Sequence, residues 1–170
     1  ARLILIMDPV MTRYIYTLLF LLFAAITPAV AGELMIARPM VMTAPQFGLF
    51  LFDKENREAP PRFVPTTVIP YSIKQTFGWQ MHINTHKKRI TITEEFNAPS
   101  APLTWGQDMH GTRVLSNDNK TSTVTYDVDV PADGMLKTIW AIAPADPKGP
   151  HSATIDIDGE ISHTFTFTVQ

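Results

Sequence analysis

The chain has no cysteine among its 170 residues. That absence removes disulfides, thiolate nucleophiles and cysteine-ligated zinc together. It also removes the acylated cysteine of a lipoprotein, so no lipid anchor is expected. Charge is scarce too, at 18% of residues with a formal net charge of −2. With no basic excess to neutralise phosphates, nucleic acid is excluded as an expected partner. After Gly32 no stretch carries a convincing amphipathic helical period. Catalytic signatures are missing as well: there is no G-x-S-x-G, no H-E-x-x-H, no phosphate-cradling glycine loop and no EF-hand loop. A disulfide-free domain of this size must be held by its core alone.

What is present begins with an address. Met11, Thr12 and Arg13 open a short positive segment. An almost unbroken apolar run follows over 14–26, and Ala29-Val30-Ala31 closes it with a small-x-small pattern. This is the form of a secretory signal peptide, with cleavage expected after Ala31. The run would rise only about 20 Å as a helix, short of the roughly 30 Å hydrocarbon core. Membrane contact is therefore expected only through an uncleaved signal segment. The expected location is the bacterial periplasm or the exterior. The sequence divides into upstream residues and signal over 1–31, a lead-in over 32–46, and a β-sandwich domain over 47–170.

Fourteen prolines suit strands and loops better than helices. The recurring pattern is period-two alternation broken by Pro, Gly, Asn and Asp. The C-terminal hairpin is the clearest case. Ala153, Ile155 and Ile157 form one apolar row, and Ile161, Phe165, Phe167 and Val169 form the next, across Asp158-Gly159-Glu160. Matching the apolar rows puts Ile157 opposite Ile161 and Ala153 opposite Phe165; a slip of a single residue would turn every buried side chain outward. Val124, Tyr126 and Val128 share a face, as do Phe77, Trp79, Met81 and Ile83, and Ile90, Ile92 and Phe96. Residues 136–143 are apolar on both faces and read as a central strand, or one whose outer face is covered. Residues 47–52 are similar, but Gly48 and nearby Pro45 suggest an edge or entry strand. Segments 53–67 and 98–113 read as long loops. The sum is an all-β, immunoglobulin-like antiparallel sandwich of about seven strands.

A resemblance supports this. Thr76-Phe77-Gly78-Trp79, the stretch 90–96, Pro102-Leu103-Thr104-Trp105-Gly106, the stretch 140–143, Asp146-Pro147-Lys148-Gly149-Pro150-His151 and Ile157-Asp158-Gly159 together resemble a family of small exported bacterial immunoglobulin-like domains of unknown function. The resemblance spans 47–169. It implies a sandwich with turn and core signatures, and it implies no catalytic residues.

Three residues stand out as ligand-binding candidates. Glu94 puts a carboxylate in an inward apolar row, which is costly unless it is paired or reaches water. It is read either as a strand-end residue bonded to a loop or solvent, or as a binding-site acid. Trp105 sits in a loop and is the aromatic to test for binding, whereas Trp79 and Trp140 are assigned to the core. His163 lies in the row of Ile161 and Phe165, where a histidine is usually packed and hydrogen-bonded. His82 and His86 have helical ligand spacing but fall on a strand and its turn. Asp127 with Asp129, and Asp156 with Asp158, read as solvated edges rather than calcium ligands.

No metal, cofactor or catalytic residue is expected. The leading expectation is a non-catalytic interaction module whose partner is another envelope or secreted protein, with its oligomeric state open. The alternatives are a small-ligand or carbohydrate binder using loop aromatics, and a metal protein or enzyme using the histidines.

Overall fold

Alternation of β-branched and aromatic residues with Thr, Ser and Asp dictates extended chain. The computed structural model describes residues 39–56, 58–106 and 111–170. They belong to one unit, Arg38–Gln170, and form ten strands. In chain order these are β1 (Val41–Leu51), β2 (Arg62–Pro65), β3 (Val68–Ile69), β4 (Thr76–Asn84), β5 (Arg89–Asn97), β6 (Thr112–Leu115), β7 (Thr121–Asp129), β8 (Met135–Ala141), β9 (Gly149–Ile157) and β10 (Ile161–Val169). The described residues contain no helix. The signal segment, its cleavage point at Ala31 and His110 lie outside them.

Two sheets form the sandwich. One has the order β2-β1-β4-β8, the other β3-β10-β9-β5-β7-β6. All pairings are antiparallel except the short β3–β10 pair. The C-terminal hairpin has the expected register, with Ile161 opposite Ile157, His163 opposite Ile155 and Phe165 opposite Ala153. The strands beyond the seven expected are β2, β3 and β6. They are two to four residues long and lie in or beside the segments read as loops. Within the 53–67 segment, Phe63 of β2 packs on Phe50 of β1, with ring centroids 5.0 Å apart. That crossover is therefore partly closed over the outer face rather than fully exposed.

β1 is the entry strand but not an edge, since it is flanked by β2 and β4, and β8 is an edge rather than a central strand. β8 is apolar on both faces for two separate reasons. Leu136, Thr138 and Trp140 face the interior opposite Met81, Trp79 and Phe77. Ile139 faces outward, half-buried, opposite Gly78. Gly78 is needed for this pairing. A Cβ there would come within 1.9 Å of the Thr138 carbonyl oxygen of β8.

The core lies between the sheets. Trp79, Met81, Ile155 and Ile157 have no exposed surface, and Ile90 and Ile92 are nearly as deep. Each such side chain contributes roughly 1.5–3 kcal/mol relative to exposure. Along one long side the sheets meet directly: Phe47 of β1 stacks on Phe167 of β10 at 4.3 Å. Along the other side Thr138 of β8 meets Tyr126 of β7, and a cleft opens beside them.

Candidate functional site

The open side is held by a polar clasp. Glu94 of β5 is 7% exposed. Its Oε1 accepts a hydrogen bond from Trp79 Nε1 of β4 at 2.9 Å and one from the Tyr126 hydroxyl of β7 at 3.0 Å. The phenol proton is committed to Glu94, so Thr138 of β8, 3.1 Å from that hydroxyl, is the donor to it. The chain of bonds thus crosses from one sheet to the other and back. Burial, reinforced by the Glu94 charge, pushes the Tyr126 phenol far above its ordinary range. Glu94 is bonded to neighbours on both sheets, Trp79 on the four-stranded one and Tyr126 on the six-stranded one.

Beside the clasp is a cleft of about 560 Å³. Its floor is the inner face of the six-stranded sheet, with Glu94, Phe96, Ser122 and Tyr126, and its roof is β8 with Thr138 and Trp140. The 102–106 loop and the 142–147 turn close its ends. Trp105 and Trp140 both meet Phe96 edge-on, at 5.8 Å and 78° and at 5.1 Å and 87°. Trp105 is fixed by its own hydrogen bond, Nε1 donating to the Asn119 carbonyl at 3.1 Å. The loop is pinned further by Arg113 of β6, whose Nη1 donates to the Gly106 carbonyl at 2.8 Å. Gly106 adopts φ 75°, a left-handed conformation that favours glycine.

The 146–151 turn supplies the remaining wall. Asp146 Oδ2 accepts from the Ala143 amide at 2.7 Å and holds the turn in shape. His151 is 8% exposed, stacks on Phe167 at 5.3 Å, and has Nδ1 2.9 Å from the Gly149 carbonyl. Burial holds its imidazole below the usual histidine range; the Gly149 carbonyl and the Asp146 charge only partly oppose this. A neutral ring donating through Nδ1 presents Nε2 as an acceptor.

Five of the segments that carry the family resemblance contribute to these walls, through Phe77, Glu94, Trp105, Trp140 and His151. Residues 47–170 match the family described as the PM0630 beta sandwich domain. The chain belongs to that family. No curated protein matches the sequence at a significant level. In fold, this PM0630-type sandwich is similar to an immunoglobulin-like protein of Pseudomonas aeruginosa, with a TM-score of 0.56 and 14% identity over 79% of this chain and 99% of that one. At that identity the likeness speaks for the immunoglobulin-like fold and for nothing finer.

Of the three sequence candidates in this PM0630 domain, Glu94 and Trp105 come together at the cleft. His163 does not. It lies half-buried on β10, edge-on to Phe165 at 4.5 Å. Trp79 is core, while Trp140, assigned to the core, packs against it and also roofs the cleft. Among the described residues no three His, Asp or Glu side chains converge in a way that could hold a metal ion. Sequence reasoning missed Ser122, Arg113 and His151. His151 closes the Asp-Pro turn, so its signal was visible but was read as turn chemistry alone. Ser122 and Arg113 gave no local signal, since only strand pairing brings them beside Phe96 and Val124.

Proposed function

We propose that this domain is a non-catalytic binding module of the bacterial envelope or exterior, and that it takes up a small ligand in the cleft between β8 and the six-stranded sheet. The cleft carries the reading. Its volume falls in the range of about 300–1,000 Å³ common for ligand pockets. Its walls are mainly apolar, with aromatic rings from Phe77, Phe96, Trp105, Tyr126 and Trp140 and a few fixed polar groups, which is the composition such pockets have. The non-catalytic part is supported by the state of its ionisable groups. Tyr126 is held protonated, its proton is directed at Glu94, and no serine or threonine nucleophile is hydrogen-bonded to His151 among the described residues. The signal-like start of the sequence supports export.

The test is a fragment screen on the full chain by NMR, following the indole N–H signals of Trp105 and Trp140. Ligands of the cleft are expected to shift both signals together. A diverse library that shifts neither would overturn the reading.

A second reading, an interaction module for a partner protein, is favoured by one observation. β8 is a seven-residue edge with no proline and no bulge, and Leu103 near its cleft is 80% exposed. Substituting Met135→Pro in β8, outside the cleft lining, would abolish partner capture through that edge and leave small-ligand binding measurable.

A further inference from the structure

We infer that the ligand of the cleft is a neutral saccharide unit. This rests on the cleft being a binding site, as proposed above, and adds the chemistry of the occupant. Two buried polar side chains lining the cleft carry it. Ser122 is 3% exposed and His151 is 8% exposed. Among the described residues the Ser122 hydroxyl makes no side-chain hydrogen bond, and His151 uses only Nδ1. Neither Ser122 Oγ nor His151 Nε2 is sealed from the cleft, so a ligand that displaces water there must offer hydrogen-bond partners in its place. Strand register places these groups around one ring. Phe96 pairs with Ser122 on β7 and with Ala153 on β9, and His151 is the next inward residue of β9. The floor thus runs from hydroxyl to aromatic ring to imidazole, with the indoles of Trp105 and Trp140 set across Phe96.

A ligand matched to this surface has an apolar ring face for the aromatics and hydroxyls at its rim. Its hydroxyls would donate to His151 Nε2 and exchange either role with Ser122. Charge decides against ionic ligands. The cleft is lined by two carboxylates, Glu94 and Asp146, and two cations, Arg113 and Lys137, and His151 is neutral. No net charge is left to recognise a phosphate or a nucleotide, and a quaternary amine, though aromatic rings can hold one, offers no hydrogen-bond partner to Ser122 or His151. A purely apolar side chain of a peptide would leave Ser122 and His151 unsatisfied, at the cost of a buried unpaired polar group.

The experiment titrates the full chain with glucose, galactose, N-acetylglucosamine, maltose and cellobiose, and separately with apolar and aromatic fragments and an acetylated apolar peptide. Indole N–H shifts of Trp105 and Trp140 report the site, and calorimetry reports affinity. At least one saccharide is expected to shift both indoles. Trp105→Ala and the conservative Ser122→Ala are each expected to weaken it about five- to tenfold, with the backbone spectrum confirming that both variants stay folded. Saccharides that fail to shift either indole, while fragments or the peptide succeed, would overturn the saccharide assignment and leave the cleft reading standing. A saccharide that binds without touching the indoles would overturn the assignment too. If no probe shifts an indole, both readings fall.

Discussion

The two long sides of this sandwich solve the same problem with different chemistry. On the β1/β10 side, Phe47 stacks on Phe167 and touches Phe77 and Phe165, so the sheets meet dry and ring to ring. On the β8/β7 side the sheets stand apart, and hydrogen bonds through Glu94 span the gap. The first side spends its aromatics on packing. The second spends them on the walls of a space. Without disulfides, the closed side and the clasp share the task of fixing the spacing of the sheets, and fixed spacing is what gives the cleft a shape.

Substitutions at four positions test this contrast. The largest effect is expected at Gly78. Its Cβ would strike the backbone of β8, and backbone cannot rotate away. Gly78→Ala should cost more than about 3 kcal/mol or unfold the domain, as read by urea denaturation. A loss under about 1 kcal/mol would mean that β8 is not paired as described. On the closed side, Phe47→Ala should cost about 3–5 kcal/mol, through lost transfer energy and the cavity left behind. If it costs no more than an exposed substitution, the dry side is not what holds the sheets. At the clasp, Glu94→Ala strands the Trp79 and Tyr126 donors and should cost about 2–4 kcal/mol. Glu94→Gln keeps an acceptor and should cost less than Glu94→Ala. Equal losses would show that the carboxylate does not serve as the acceptor for those donors.

The smallest effect is one of pH. Burial depresses the His151 imidazole in the folded state, whereas in the unfolded chain it takes up a proton near pH 6.5. Below that point the unfolded state binds more protons. Stability should therefore fall as pH drops through about 6.5, and level off once the folded imidazole is also protonated. Above that pH the group contributes no slope. His151→Gln should remove this part of the pH dependence in thermal melts between about pH 7 and 5. An unchanged slope would mean that His151 is not buried in its neutral form.

How much of this was written in the sequence depends on how local each feature is. The C-terminal hairpin was legible because a three-residue connection and two apolar rows leave only one register that keeps Phe165 and Ile157 inside. The inward position of Glu94 was legible for the same reason, as a break in the row of Ile90, Ile92 and Phe96. Strand order was not. The apolar character of β8 suggests a central strand or one whose outer face is covered, and alternation alone cannot separate these from an edge whose Ile139 faces outward, half-buried, opposite Gly78 while Trp140 faces the cleft. Gly48 and Pro45 suggest that β1 is an edge or entry strand; it is the entry strand, but a four-residue strand from the supposed crossover covers its edge. The cleft itself joins β5, β7, β8, a loop and a turn. Its parts are far apart along the chain, so Trp105 and Glu94 could be singled out but not brought together.

The most direct measurement is a crystal structure of the chain soaked with the tightest saccharide found in solution. The expected result is density lying against Phe96 between the Trp105 and Trp140 side chains, with hydroxyl oxygens in hydrogen-bond reach of Ser122 Oγ and His151 Nε2. Density for that saccharide on another surface, with the cleft holding only solvent, would contradict it.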